Sequence, residues 1–357
     1  MGLELADIFR RYTIDCSNGE QARVVAAIRD CRTAEFGGHL QECEHCGHRE
    51  QVYNSCRNRH CPKCGNLARA AWVEKRRAEL LPVHYFHVVF TMPHELAAIA
   101  LQNQKRLYEI LFRASAQALQ EIAAQPRYLG AQIGILSVLH TWGQTLVHHP
   151  HIHCLVPGGG LALDGSTWIE SKANFFVPVR VLSARYRTLF LVALQGAFEQ
   201  GLKLEGDLSK LTLPHQMARL VAKLRRKKWV VFIQAPFSEP ETVLQYQAHY
   251  INRIALTNDR ILPRGFSRIR YYGALSNRNK KAFLLASCTL LKTEPVAAEL
   301  PKSWQERFHM LTGRQADLCR RCNIGKFTVI EQLIGLRELR RQRAKLPRLP
   351  SITRGPP

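Results

Sequence analysis

Apolar residues spaced for one helical face over 3–12 and 20–31 predict two short amphipathic helices. The stretch 66–81 predicts a basic helix bearing Arg69, Lys75, Arg76 and Arg77. From His84 to Thr91 the pattern becomes a short apolar run, a strand, which Met92-Pro93 ends before a long helix to about Ala124. Positions 133–146 predict a strand or a bent pair of strands. The run from His148 to Val156 predicts the next strand, entered at the turn His149-Pro150 and ended by Gly158-Gly159-Gly160. Beyond it come helices over 180–202 and 214–227, a strand over 229–235, a helix over about 239–253, a strand-like basic stretch over 260–272 and a helix from 277 to about 291. One strand, a long helix and then two neighbouring strands predict an antiparallel sheet with helices on one side, an α+β fold of the split type. The expected division is a helical and zinc-binding DNA-recognition part over 1–80, a catalytic domain over 81–275, and a basic helical C-terminal region over 276–357.

Composition sharpens this. A chain of 357 residues with 46% hydrophobic content is globular and has material for two or three domains. Lys plus Arg number 51 against 28 Asp plus Glu, a net charge of +23, which points to a polyanionic partner and most simply to nucleic acid. A membrane-surface role would want a basic amphipathic helix or lipidation signal at a terminus, and neither is evident. No run of roughly 18 apolar residues occurs. The N-terminus, Met1 to Asp7, is acidic and lacks a signal-peptide charge pattern, so the expectation is a cytoplasmic, nucleoid-associated protein. Eleven cysteines in such a compartment argue for metal ligation over disulfides.

Cys43-x-x-Cys46 and Cys61-x-x-Cys64 are each followed by glycine, which permits a tight knuckle aiming both thiolates at one ion. Their spacing suits one tetrahedral structural zinc on Cys43, Cys46, Cys61 and Cys64. Cys31, His39, Cys56 and His60 lie in the same stretch and suggest a second zinc, unless they are buried thiols and hydrogen-bonded imidazoles. Arg57 and Arg59 between the pairs are candidate phosphate contacts, as is the cluster Arg225, Arg226, Lys227 and Lys228. Cys319-Arg320-Arg321-Cys322 is a lone Cys-x-x-Cys with no obvious second pair.

The chemistry centres on His151-Ile152-His153. On a strand, positions i and i+2 share a face, so both imidazoles stand together while Ile152 turns into a core. Two such imidazoles are two ligands of a divalent metal. Gln144 is the first candidate for a third ligand, with His148, His149 and His249 as rivals. Phosphate chemistry calls for magnesium or manganese, and the nitrogen ligands favour manganese. Tyr246 and Tyr250 sit at i, i+4 on one helical face. That spacing also suits two core aromatics. Beside a metal strand it suits nucleophiles that attack phosphorus and conserve the bond energy as phosphotyrosine. No P-loop pattern occurs, so the chain carries no visible motor.

These residues resemble the rolling-circle insertion-sequence transposases of the two-tyrosine HUH (His-hydrophobic-His) class, the IS91-like group. The likeness rests on Cys31 to Ala34 with Gly37-Gly38-His39, Tyr53 to Cys64, Phe90 to Leu96, Thr141 to Gly160, Tyr246 to Asn258, Leu262 to Phe266 and Ile269 to Gly273. It implies an N-terminal zinc lobe that recognises DNA, a nickase domain with His151 and His153 on the metal, and Tyr246 and Tyr250 as nucleophiles. It further implies cleavage of single-stranded DNA to a 5′-phosphotyrosine and a free 3′-hydroxyl, with a host helicase as the unwinding partner. One departure stands out: Ile261 runs directly into Leu262, where the family pattern carries further strands. Two other readings remain: a catalytically inactive zinc-dependent DNA-binding remnant, and a metal-dependent hydrolase that uses water.

Overall fold

The computed structural model describes residues 4–16, 19–77, 79–142, 147–172, 174, 176–237, 262–294 and 303–345. The helices in chain order are α1 (Leu5–Arg11), α2 (Gly19–Arg29), α3 (Pro62–Arg77), α4 (Ala97–Gln102), α5 (Gln104–Ala123), α6 (Val179–Glu199), α7 (Pro214–Arg226), α8 (Lys280–Leu290), α9 (Trp304–Thr312) and α10 (Leu336–Lys345). The strands are β1 (Gly38–Cys43), β2 (Arg49–Tyr53), β3 (Tyr85–Thr91), β4 (Ala131–Gln132), β5 (Gly134–Trp142), β6 (His148–Pro157), β7 (Gly159–Ala162), β8 (Trp168–Glu170), β9 (Val231–Phe237), β10 (Ile269–Gly273) and β11 (Phe327–Leu333). They form two compact units, one of residues 1–70 with 301–357 and one of 71–300.

The second unit is built on a five-stranded sheet of order β10-β5-β6-β3-β9, antiparallel throughout. Strand alternation gives it two different faces. On one, Ile152, Cys154 and Val156 of β6 lie beside Phe86, Val88 and Phe90 of β3, all essentially inaccessible to solvent. Helix α5 covers this face because Leu107, Leu111, Ser115, Leu119 and Ile122 recur at helical spacing and are buried. Tyr186 and Phe190 of α6 complete the core against Trp229, their rings 5.2 Å from the indole in both cases. Each such fully buried aliphatic or aromatic side chain contributes about 2 kcal/mol. The other face is apolar at one end, where Tyr85, Leu136 and Leu155 cluster with Trp72 and Tyr271. At its other end it carries histidines. A small sheet of order β4-β7-β8 follows the glycine run; a Cβ at Gly160 would lie 2.4 Å from the Gln132 carbonyl oxygen, so only glycine permits that strand pairing.

In the first unit, a three-stranded antiparallel sheet has the order β11-β1-β2, with β11 paired to β1 from Gly38↔Leu333 to Cys43↔Phe327. Helix α10 follows: Arg337 pairs with Asp30 at 2.6 Å and its guanidinium stacks 4.5 Å from the Phe36 ring. The expected C-terminal region over 276–357 is therefore divided. Helix α8 falls within the second unit, while 303–345 belongs with the N-terminal residues. Ladder pairing to β1 is the reason, and strand pairing between distant segments leaves no local trace in sequence. No described helix is long and apolar enough to cross a membrane.

Candidate metal centre

Strand β6 sets the site. His151 pairs across to His140 of β5, and His153 pairs with Val138 of β5 and Val89 of β3. Pairing and alternation bring His140, His151 and His153 onto one face, with their ligand nitrogens all within 4.8 Å of one another. The His140 and His153 rings are 4.1 Å apart, and both residues are under a tenth exposed.

Two of these rings have their tautomers fixed. The His149 carbonyl can only accept, so His151 Nδ1–H donates to it at 2.7 Å and Nε2 keeps its lone pair. For His153 the ordering comes through a chain. Gln234 Oε1 accepts from His87 Nδ1 at 3.1 Å, so His87 Nε2 accepts from His153 Nδ1 at 2.7 Å, and His153 Nε2 is left as a donor to metal. Burial disfavours the imidazolium form throughout. It pushes His151 down to about 4 and His153 to about 2, and it holds His140 well below the ordinary range with help from the neighbouring His153. Three neutral imidazoles facing one point are a donor set that fits a divalent ion.

Two expected results follow here. His87→Phe keeps the bulk but breaks the relay, and manganese affinity is expected to fall about 10- to 100-fold by calorimetric titration. The second concerns pH. In the metal-free protein the unfolded histidines titrate near an ordinary value of about 6.5, while His151 and His153 in the folded state do not. The unfolded state then binds more protons below that value, so the folded state is favoured less as pH falls. Thermal midpoints are expected to drop from about 6.5 down to about 4; a midpoint unchanged over that window would contradict the burial.

His140 joins His151 and His153 in the described cluster; Gln144, the expected third ligand, lies outside the described residues. His148 and His149 lie outside that cluster: His148 Nε2 meets Tyr108 Oη at 2.9 Å. His249, Tyr246 and Tyr250 lie outside the described residues, as does the expected helix over 239–253. The signal for His140 was present in sequence as His140-Thr141-Trp142 on the neighbouring strand, but register was needed to use it.

The cysteines group differently from the spacing rule. Cys61 and Cys64 join Cys31 and Cys56, with sulfur separations of 3.6, 3.7 and 3.7 Å for Cys31–Cys64, Cys56–Cys64 and Cys61–Cys31. A tetrahedral zinc with Zn–S of about 2.3 Å has an S···S edge of about 3.8 Å. Cys43 and Cys46 instead group with Cys319 and Cys322. The reason is the β1–β2 hairpin, which carries Cys43 and Cys46 at its tip, roughly 17 Å of strand away from its base. His39 is a ladder residue paired with Val52 and Gln332. The backbone N–H of the buried His60 donates to Asn58 Oδ1 at 2.9 Å, and its Nε2 accepts from the Arg59 Nε–H at 3.3 Å. Neither belongs to a cysteine cluster.

Among the candidate DNA contacts, Arg57, Arg59, Arg225, Arg226 and Lys228 are exposed. Lys227 is committed otherwise: its Nζ bonds both Glu95 carboxylate oxygens, at 2.9 and 3.0 Å.

Residues 134–263 match the family "Putative transposase", and residues 5–92 match the transposase zinc-binding domain of the IS91 type. The chain is 45% identical to "Putative transposase y4qJ" of Sinorhizobium fredii (strain NBRC 101917 / NGR234), covering 94% of this chain and 96% of that one. That alignment spans 384 positions against 357 residues here, so the relative has residues that this chain lacks. It is 27% identical to the transposase for insertion sequence element IS801 of Pseudomonas savastanoi pv. phaseolicola, over 68% of this chain and 57% of the other. Among solved structures, the metal-bound conjugative relaxase TrwC in complex with oriT DNA aligns over 58% of this chain and 72% of its own, at 17% identity. Its TM-score is 0.28.

Proposed function

The chain belongs to the IS91-like transposases, the two-tyrosine HUH class of rolling-circle enzymes that nick and rejoin DNA, and from that premise we propose how its own residues do so. His140, His151 and His153 hold a catalytic divalent ion, magnesium or manganese, with manganese the better match to three nitrogens. Once bound there, such an ion polarises the scissile phosphodiester and orients it for in-line attack. The observation that carries this reading is three neutral imidazoles, two buried and one half-buried, converging from adjacent strands.

Tyr246 and Tyr250 enter from their spacing in sequence. A tyrosine hydroxyl, ordinarily with a pKa near 10, gives up its proton as its oxygen forms a bond to phosphorus. The bond from phosphorus to the 3′-oxygen breaks, and that oxygen leaves as a hydroxyl. One phosphodiester is exchanged for one phosphotyrosyl ester, so a later 3′-hydroxyl can reverse the step without ATP. The second tyrosine lets another strand be taken before the first is released. Arg268, whose guanidinium lies 6.0 Å from the Trp142 ring and whose charge reaches His140, adds positive potential beside the site. Exposed Arg57, Arg59, Arg225, Arg226 and Lys228 hold the strand by its phosphates. Unwinding falls to a host helicase.

The products test this. Single-stranded DNA from the element ends, incubated with protein and manganese, is expected to yield a 3′-end that a polymerase extends. Its 5′-end is expected to stay with protein until proteolysis. A free 5′-phosphate in the first turnover would assign the site to a hydrolase that uses water.

A further inference from the structure

Two Cys-x-x-Cys segments, separated by most of the chain, face each other in the first unit. Cys43 and Cys46 sit at the tip of the β1–β2 hairpin. There the Gly47 N–H donates to the Cys43 carbonyl at 3.0 Å, and Gly47 is left-handed at φ +67°. Cys319 and Cys322 repeat that geometry. The Asn323 N–H donates to the Cys319 carbonyl at 2.9 Å, and Asn323 is left-handed at φ +54°. In the second segment the Gly325 N–H also points at Cys322 Sγ, 3.4 Å away, a bond that favours the thiolate. Each segment is thus a knuckle that turns two sulfurs toward one point.

The sulfurs of the two knuckles are separated by 3.7 Å for Cys43–Cys322 and 3.8 Å for Cys46–Cys319. That is the edge of a tetrahedral ZnS4 site, about 3.8 Å for Zn–S of about 2.3 Å, and far beyond a disulfide at about 2.0 Å. The backbone is shaped for the approach. A Cβ at Gly325 would lie 2.6 Å from Cys43 Sγ and 2.6 Å from His45 Cβ. Behind the knuckles, β11 leads back along β1, and a Cβ at Gly37 would strike the Leu333 carbonyl oxygen at 2.3 Å. Facing knuckles on a three-stranded antiparallel sheet are the build of a zinc ribbon. The matched zinc-binding family region ends at residue 92, well before Cys319.

We propose that Cys43, Cys46, Cys319 and Cys322 bind a second structural zinc. This ion clasps residues 303–345 to the N-terminal lobe, so that the zinc-binding unit is one module assembled from both ends of the chain. The long loop between the ligand pairs is no obstacle, since closure entropy grows only logarithmically with loop length. The inference deepens the reading of the zinc lobe, and its test involves no DNA cleavage, so its failure and that of the nickase are distinguishable.

The test counts thiolate-bound cobalt(II) on the full chain carrying His151→Ala and His153→Ala, which confines the readout to cysteine sites. This parent is expected to take two equivalents with thiolate-to-cobalt charge-transfer absorption. Cys319→Ser with Cys322→Ser is expected to halve that absorption and leave one equivalent. Cys43→Ser with Cys46→Ser is expected to do the same, and all four substitutions together to lose no more than either pair. One equivalent in the parent, or two surviving in the Cys319/Cys322 variant, overturns the proposal. If serine substitution unfolds the unit and both ions are lost, Cys319→His decides. Two equivalents, with half of the ligand-field spectrum moved toward a three-sulfur, one-nitrogen site, support the clasp; two equivalents with an unchanged spectrum overturn it.

Discussion

His140→Ala is expected to lower metal-dependent strand cleavage by about 1,000-fold while leaving the fold intact. His140 lies directly across the ladder from His151 and supplies one of three ligand nitrogens. Removing it leaves two, too few to hold the ion fixed against a phosphate. If the ion supplies several kcal/mol of transition-state stabilisation, losing about 4 kcal/mol of it corresponds to about three decades of rate. His140 lies on the opposite face of the sheet from Leu139 and Ile152, which belong to the main core, so that core keeps its packing. Cleavage rates against manganese concentration, with the thermal midpoint as a fold control, check this. A variant that recovers full rate at saturating manganese would demote His140 to a residue that aids binding only.

Cys31→Ser combined with Cys56→Ser has the other large expected effect. Among the described residues the first unit has few buried apolar side chains of its own: Ala6, Phe9, Val24 and Ile28 beside the cysteines. A structural zinc supplies on the order of 10 kcal/mol, comparable to the whole stability of an ordinary domain. The double variant is expected to lose the cooperative transition of this unit in calorimetry. The transition of the second unit remains, because its core around Phe90, Leu111 and Tyr186 is independent of the cysteines. DNA binding is expected to fall with it, and a strong chelator should reproduce the effect in the unsubstituted chain. Retention of both transitions after chelation would contradict it.

The second unit was legible where the signal is local. Alternation in His151-Ile152-His153 named the strand, its face and two of the three clustered nitrogens, and the apolar period named α5 and α6. Pairing between distant segments was not legible. His140 joins the site through register with β6, and Cys319 joins Cys46 through a strand that returns from the far end of the chain. Spacing therefore linked Cys43 and Cys46 to Cys61 and Cys64, which a hairpin keeps apart. The strands β1, β2 and β11 escaped prediction because they are mostly polar or exposed and lack an apolar alternation. Relays such as Gln234–His87–His153 likewise have no signature along the chain.

The measurement that bears most directly on the account is covalent attachment. The protein is mixed with manganese and end-labelled single-stranded DNA from its element ends and run on a denaturing gel, beside Tyr246→Phe, Tyr250→Phe, the double variant and His140→Ala. The account predicts a band shifted by the mass of the protein that persists in at least one single variant. That band disappears in the double variant and is nearly absent in His140→Ala. Binding to the DNA with no shifted band under any condition would contradict it, and would make this chain a DNA-binding remnant of its family.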